Sequence, residues 1–244
     1  MKRMHTSETL KNLSDFPLIP IGLELNPRGK GTVRSPGDMF LVWKTIEYFA
    51  PKSLLEIGFY GGQSMGLYIE SSNLERIVAV DVDYSHRATF DRLFPNNCIE
   101  FLNIDSKKLT LTETFDFITI DGDHRYPAVK NDIEKVLPLM HKNTILYMDE
   151  YCLCEGVEQV ISEYLLGQHD FIPFLAGNQG MFFHHITHDA NYFLDNFITE
   201  KSDNFLTFNN IIDWNGYTVL FCEAPLVYTD NTELFLKTLE FYDL

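Results

Sequence analysis

The run ITIDGDHRYPAVKNDI, residues 118–133, passes from apolar residues straight into Asp121, Asp123 and His124. An imidazole three residues beyond a carboxylate can take up a proton near neutral pH, and the carboxylate can orient it or stabilise its charge. Asp121 is one member of a series. Successive apolar runs end in Glu56 (SLLEIG), Asp81 (RIVAVDVD), Asp105 (CIEFLNID), Asp121 (TFDFITID) and the pair Asp149–Glu150 (NTILYMDE). Acids after strands commonly cap the next helix, and Asp105 could be only that. Gathered on one edge, the whole set repels itself and calls for a cation, a metal or polyol hydroxyls.

The first loop narrows the ligand. It reads LLEIGFYGGQSMG, with the spacing E-x-G-x-x-x-G-x-S over Glu56, Gly58, Gly62 and Ser64. A dinucleotide fingerprint needs G-x-G-x-x-G, and Tyr60 stands where its middle glycine would be. RGKGT, residues 28–32, lacks the upstream glycine and the strand of a P-loop. Glycines here let the backbone approach a ligand closely. The Glu56 charge opposes a pyrophosphate and suits an ammonium or a sulfonium.

These residues need elements to position them. Met39, Trp43, Ile46 and Phe49 recur at helical spacing over 38–50, with Pro51 as the stop. Short apolar strands then alternate with helices at GQSMGLYIESS, SHRATFDRLF, residues 127–140 and residues 155–166. Pro127 opens the third of these helices and Gly167 closes the fourth. Alternation of this kind predicts an α/β fold, a doubly wound parallel sheet covered on both faces. In such a sheet every strand ends on one edge, where ligands bind. DFIPFLAGNQGMFFHH, residues 170–185, reads as an antiparallel hairpin turning at Gly177–Gly180. Beyond it lie a helix near 190–199, strands near 205–212 and 217–222, and a helix near 232–242. The expected organisation is an irregular segment or lid over 1–37, a ligand-binding domain over 38–188 and an extension over 189–244.

Composition excludes several classes. The 244 residues carry 35 acids against 19 bases, a formal charge of −16, which argues against a nucleic-acid partner. Four cysteines, Cys98, Cys152, Cys154 and Cys222, are too few for a disulfide framework. No leader peptide and no membrane span is expected, and the chain reads as a cytoplasmic protein.

The E-x-G-x-x-x-G-x-S loop resembles motif I of the class I S-adenosylmethionine-dependent methyltransferases, and the ordered strand-end acids follow that family over roughly residues 35–185. IDGDHRYPAVKNDI resembles the fourth-strand motif of the small-molecule O-methyltransferases, the catechol-type and antibiotic-tailoring branches. The resemblance implies a Rossmann-like, mostly parallel seven-stranded sheet with the hairpin at its C-terminal edge and an α+β extension beyond. It implies S-adenosylmethionine as cofactor, held by Glu56, Gly58, Tyr60, Gly62, Ser64, Asp81, Asp105 and Asp121. Asp81 would take the ribose hydroxyls and Asp105 would lie near the adenine amino group. In the metal-dependent branch a divalent cation such as Mg²⁺ is held by positions matching Asp121, Asp149 and Glu150, the oxygen ligands a hard cation prefers. The catechol-type enzymes place a lysine near position 124. His124 departs from that pattern as candidate base, with Asp121 as its catalytic companion. Asp123 could hold the His124 ring or start the helix, and Tyr126 could line the pocket or pack.

The implied activity is methyl transfer to a hydroxyl of a small molecule. Sugar hydroxyls, phenols, carboxylates and nitrogen all remain as acceptors. A metal-independent methyltransferase, a nicotinamide oxidoreductase and a silent binding or assembly protein are the rivals. The extension could form a homo-oligomer. His184, His185 and His188 read as sheet-edge histidines, and Cys152 and Cys154 as packing residues near the pocket. Arg28, Lys30 and Arg34 could meet an anionic group or keep the segment soluble.

Overall fold

The computed structural model describes part of residues 38–49 and then 50–71, 74–95, 98–166, 171–177, 179–185, 208–214 and 216–223. Strands and helices alternate through the first half: β1 (Ser53–Ile57), α1 (Gln63–Ser71), β2 (Arg76–Asp81), α2 (Arg87–Leu93), β3 (Ile99–Asn103), β4 (Phe115–Ile120), α3 (Tyr126–Val136), β5 (Met140–Met148) and α4 (Glu155–Val160). Then come β6 (Phe171–Ala176), β7 (Met181–His185), β8 (Phe208–Trp214) and β9 (Tyr217–Glu223). The strand order is β3-β2-β1-β4-β5-β7-β6-β9-β8. β3 to β5 run parallel, and β7 is antiparallel to both β5 and β6.

The first seven strands are the expected Rossmann-like sheet with its antiparallel hairpin. The extension does more than cover it. β9 pairs parallel with β6 through Leu175↔Leu220 and Ala176↔Phe221, and β8 pairs antiparallel with β9, so both continue the same sheet. The expected helices near 190–199 and 232–242, the segment 1–37 and the basic trio lie outside the described residues.

Continuous apolar runs follow from covering both faces. Leu54, Phe117 and Tyr147 join Leu41, Ile46, Leu67 and Phe90 in one core. Their neighbours Leu55, Ile118 and Leu146 join Ile133, Val136, Val157 and Ile161 in the other. Successive strand residues point to opposite faces, so a strand with a core on each side is apolar throughout. The described positions between 38 and 49 are helical, with Leu41, Val42 and Ile46 fully buried.

Three local expectations change. The helix expected over 127–140 stops at Val136, and Leu137–Leu139 form a 3₁₀ turn. Pro138 lacks the N–H that would continue the helical ladder. The histidines of β7 are not at an edge, because β7 lies between β5 and β6; His184 is buried with its ring 5.2 Å from Phe174. Cys152 is exposed and Cys154 half-buried, so Cys152 is no packing residue. Among the described residues no helix is long and apolar enough to cross a membrane.

Candidate active site

Parallel strands bring their C-terminal ends together. Asp121 N donates to Ile57 O at 2.8 Å, Gly58 N to Val80 O at 2.9 Å and Asp149 N to Ile120 O at 3.1 Å. The ends of β1, β2, β4 and β5 are therefore laced into one edge. The opposite edge is closed structurally: Asp116 accepts from Lys52 N at 2.8 Å and Ser53 N at 3.0 Å and meets His141 Nε2 at 3.0 Å.

At the ligand edge the β1 loop is shaped by glycine. Gly58 has φ +96°, and a Cβ there would stand 2.1 Å from Asp121 O. Gly62 has φ +79°, and a Cβ would strike the Phe59 and Phe90 rings at 2.6 Å. Both glycines thus serve protein–protein packing, which draws the loop tightly over the end of β4. Tyr60, at φ +46°, is 45% exposed and lies edge-on to His86. Ser64 falls in the first turn of α1.

Asp81 has a second task. Its Oδ2 accepts from Phe59 N and from Tyr60 N, each at 2.8 Å, and its Oδ1 accepts from Asp83 N at 3.0 Å. The carboxylate expected to meet a ribose also holds the glycine loop. Asp105 accepts from Lys107 N at 3.0 Å and caps a 3₁₀ turn, the plainer of its two roles. Glu56 lies inside β1, in register between β2 and β4, and is 1% exposed.

His124 Nε2 is buried and faces Asp121 Oδ1 at 3.4 Å, an ionic contact without hydrogen-bond alignment. The Asp121 carboxylate is the main cause that raises the imidazole's pKa above its usual value. Burial opposes this, and Asp149 and Glu150 add to it. Asp123 does not hold the ring. Arg125 engages it through Nε at 2.9 Å and draws its carboxyl down to about 2. Tyr126 reaches Glu163 Oε2 at 3.1 Å, which favours packing over pocket lining.

Three contributors gave no signal in the sequence. Tyr147, fully buried, donates from its hydroxyl to Asp149 Oδ1 at 2.9 Å. Gln179, 2% exposed in the hairpin turn, reaches Glu150 Oε1 at 3.5 Å. Asp38, also buried, accepts from Gln179 N at 3.2 Å. Turns are usually wet, so nothing in GNQG marks a buried amide.

A divalent cation needs its oxygen ligands turned to one point. Asp121, Asp149 and Glu150 do end adjacent strands. Yet among the described residues no group of three or more His, Cys, Asp or Glu side chains gathers as a metal ion would need. Asp149 and Glu150 are instead engaged by protein donors, so the residues present do not fit a divalent cation.

Three large apolar side chains are exposed among the described residues, Tyr60, Val82 and Leu153. They follow β1, β2 and β5, all at the ligand edge.

Residues 55–151, the segment that carries these loops, match the family model described as "Methyltransferase domain". No curated protein matches the sequence. Solved structures share the fold. An O-methyltransferase from Bacillus cereus in complex with SAH is 18% identical, with a TM-score of 0.55 over 73% of this chain and 93% of that one. The O-methyltransferase TomG from Streptomyces achromogenes, in complex with SAM, is 16% identical, with a TM-score of 0.53 over 73% and 92%. An SAH-bound methyltransferase from Podospora anserina is 17% identical, with a TM-score of 0.53 over 61% and 77%.

Proposed function

We propose that this methyltransferase domain moves the methyl group of S-adenosylmethionine to a hydroxyl oxygen of a small molecule. The observation that carries the reading is the edge itself. A glycine loop is drawn over the end of β4 and pinned by Asp81, and it stands beside an imidazole paired with Asp121. S-adenosylmethionine, when bound, supplies a methyl group activated on a sulfonium sulfur.

The chain's own residues do the rest. Asp81 and the β1 loop present negative charge and backbone where a cationic sulfonium nucleoside would lie, with Glu56 buried beneath them. Tyr60 and Val82 offer apolar cover. The His124 imidazole takes the hydroxyl proton as the oxygen attacks, and Asp121, which faces Nε2, stabilises the imidazolium that forms. The oxygen–methyl bond forms as the sulfur–methyl bond breaks, and the pair of electrons in that bond stays on sulfur. Holding nucleophile and methyl in line supplies much of the acceleration.

The test is calorimetry with S-adenosylhomocysteine, followed by transfer of a labelled methyl group to a panel of hydroxylated small molecules. A Kd on the order of micromolar is expected. His124→Ala should keep that affinity while transfer falls by about 10²- to 10⁴-fold. Absence of any binding sinks the reading.

A further inference from the structure

We infer that the three carboxylates at the ends of β4 and β5 take no divalent cation, because each is set by a group of the chain itself: Asp121 by His124, Asp149 by Tyr147 and Glu150 by Gln179. The inference rests on the methyltransferase reading of this crevice.

A hard cation such as Mg²⁺ needs oxygens turned to a common point at about 2.0–2.1 Å. Here protein donors set the carboxylates. Asp149 Oδ1 takes the Tyr147 hydroxyl at 2.9 Å. That hydroxyl has little room to turn away: the ring is buried against Phe182, with centroids 4.7 Å apart. Across from it, a Cβ on Gly180 would come within 2.0 Å of the hydroxyl. Glu150 sits at φ +59°. Its Oε1 meets Gln179 Nε2 at 3.5 Å and its Oε2 meets Cys154 Sγ at 3.9 Å, the latter a weak contact. Gln179 is itself fixed on both backbone sides, donating from N to Asp38 Oδ1 at 3.2 Å and accepting at O from Tyr151 N at 2.9 Å. Asp121 Oδ1 faces His124 Nε2 at 3.4 Å. A cation drawing the three acids together would have to turn Asp149 from the buried Tyr147 hydroxyl, Glu150 from Gln179 and Asp121 from the ring it faces.

The division of labour differs from metal assistance. A cation would make the acceptor hydroxyl a stronger acid. Here the chain sets the three acids itself: Asp121 faces the His124 ring, and Tyr147 and Gln179 act as positioning residues for Asp149 and Glu150.

The decisive measurement uses full-length protein freed of metal by chelation and loaded with S-adenosylhomocysteine. Mn²⁺ is titrated in, and the free ion is followed by electron paramagnetic resonance. No site tighter than ~1 mM is expected, and affinity for S-adenosylhomocysteine should agree within about twofold with and without Mg²⁺. One Mn²⁺ per chain at micromolar affinity, lost in Asp149→Asn or Asp121→Asn, overturns the inference. If S-adenosylhomocysteine itself fails to bind, the methyltransferase reading falls instead, so the two failures are distinguishable.

Discussion

Asp81→Ala removes the acceptor that holds the glycine loop. Oδ2 takes Phe59 N and Tyr60 N at 2.8 Å each. A hydrogen bond to a charged group contributes about 1.5–3 kcal/mol net. Tyr60 N is exposed and water replaces part of its bond, so the pair together is worth about 2–4 kcal/mol. If the whole loss falls on the cradle that receives the nucleoside, S-adenosylhomocysteine binds about 30- to 1000-fold more weakly. Any part of the loop that stays ordered without ligand transfers its share to folding stability. Asp81→Asn keeps one oxygen that can accept one of the two N–H groups. Its loss should be about half, or roughly 5- to 30-fold in Kd. The assay is isothermal calorimetry at fixed ionic strength, paired with urea unfolding of the same samples. A Kd and an unfolding midpoint both unchanged in Asp81→Ala would refute the argument that this carboxylate organises the loop. A lost midpoint with an intact Kd would refute its part in ribose binding alone.

Gly58→Ala should destabilise the fold by about 3 kcal/mol or more, because a Cβ meets Asp121 O at 2.1 Å and φ is +96°. Urea unfolding checks it, and a loss under about 1 kcal/mol would show that the β1–β4 contact yields easily. Tyr147→Phe keeps the ring but takes the hydroxyl from Asp149; the expected cost is about 1.5–3 kcal/mol, read from the same transition. The raised His124 pKa has Asp121 as its largest cause. It contributes stability that is fully present below the unfolded-state value of about 6.5 and disappears as pH rises through the higher folded value. The stability difference between wild type and His124→Gln should therefore shrink as pH rises above about 6.5. A difference that grows with pH would contradict the geometry.

Where strands stop is written locally. An apolar run that breaks into Glu56, Asp81, Asp121 or Asp149 announces both a strand and its end, and alternation with helices announces parallel order. Those two facts alone predict an acidic edge beside the Gly58 loop. The sequence by itself therefore determined the sheet, the edge and most residues on it. It could not determine which partner each acid would take, because neighbours two or three residues away compete with groups from distant segments. Asp38 and Gln179 meet across 141 residues, and the GNQG turn becomes a buried strut only once helix and hairpin pack together. Asp81 turned inward to the loop, and Asp123 went to Arg125 instead of His124. The extension joined the sheet through two residue pairs with β6, a long-range register that no local periodicity encodes. Tertiary structure alone decided that Gln179 would reach Glu150. A hydrogen bond depends on distance and direction at the ångström scale, whereas residue spacing constrains only which face of an element a side chain shares.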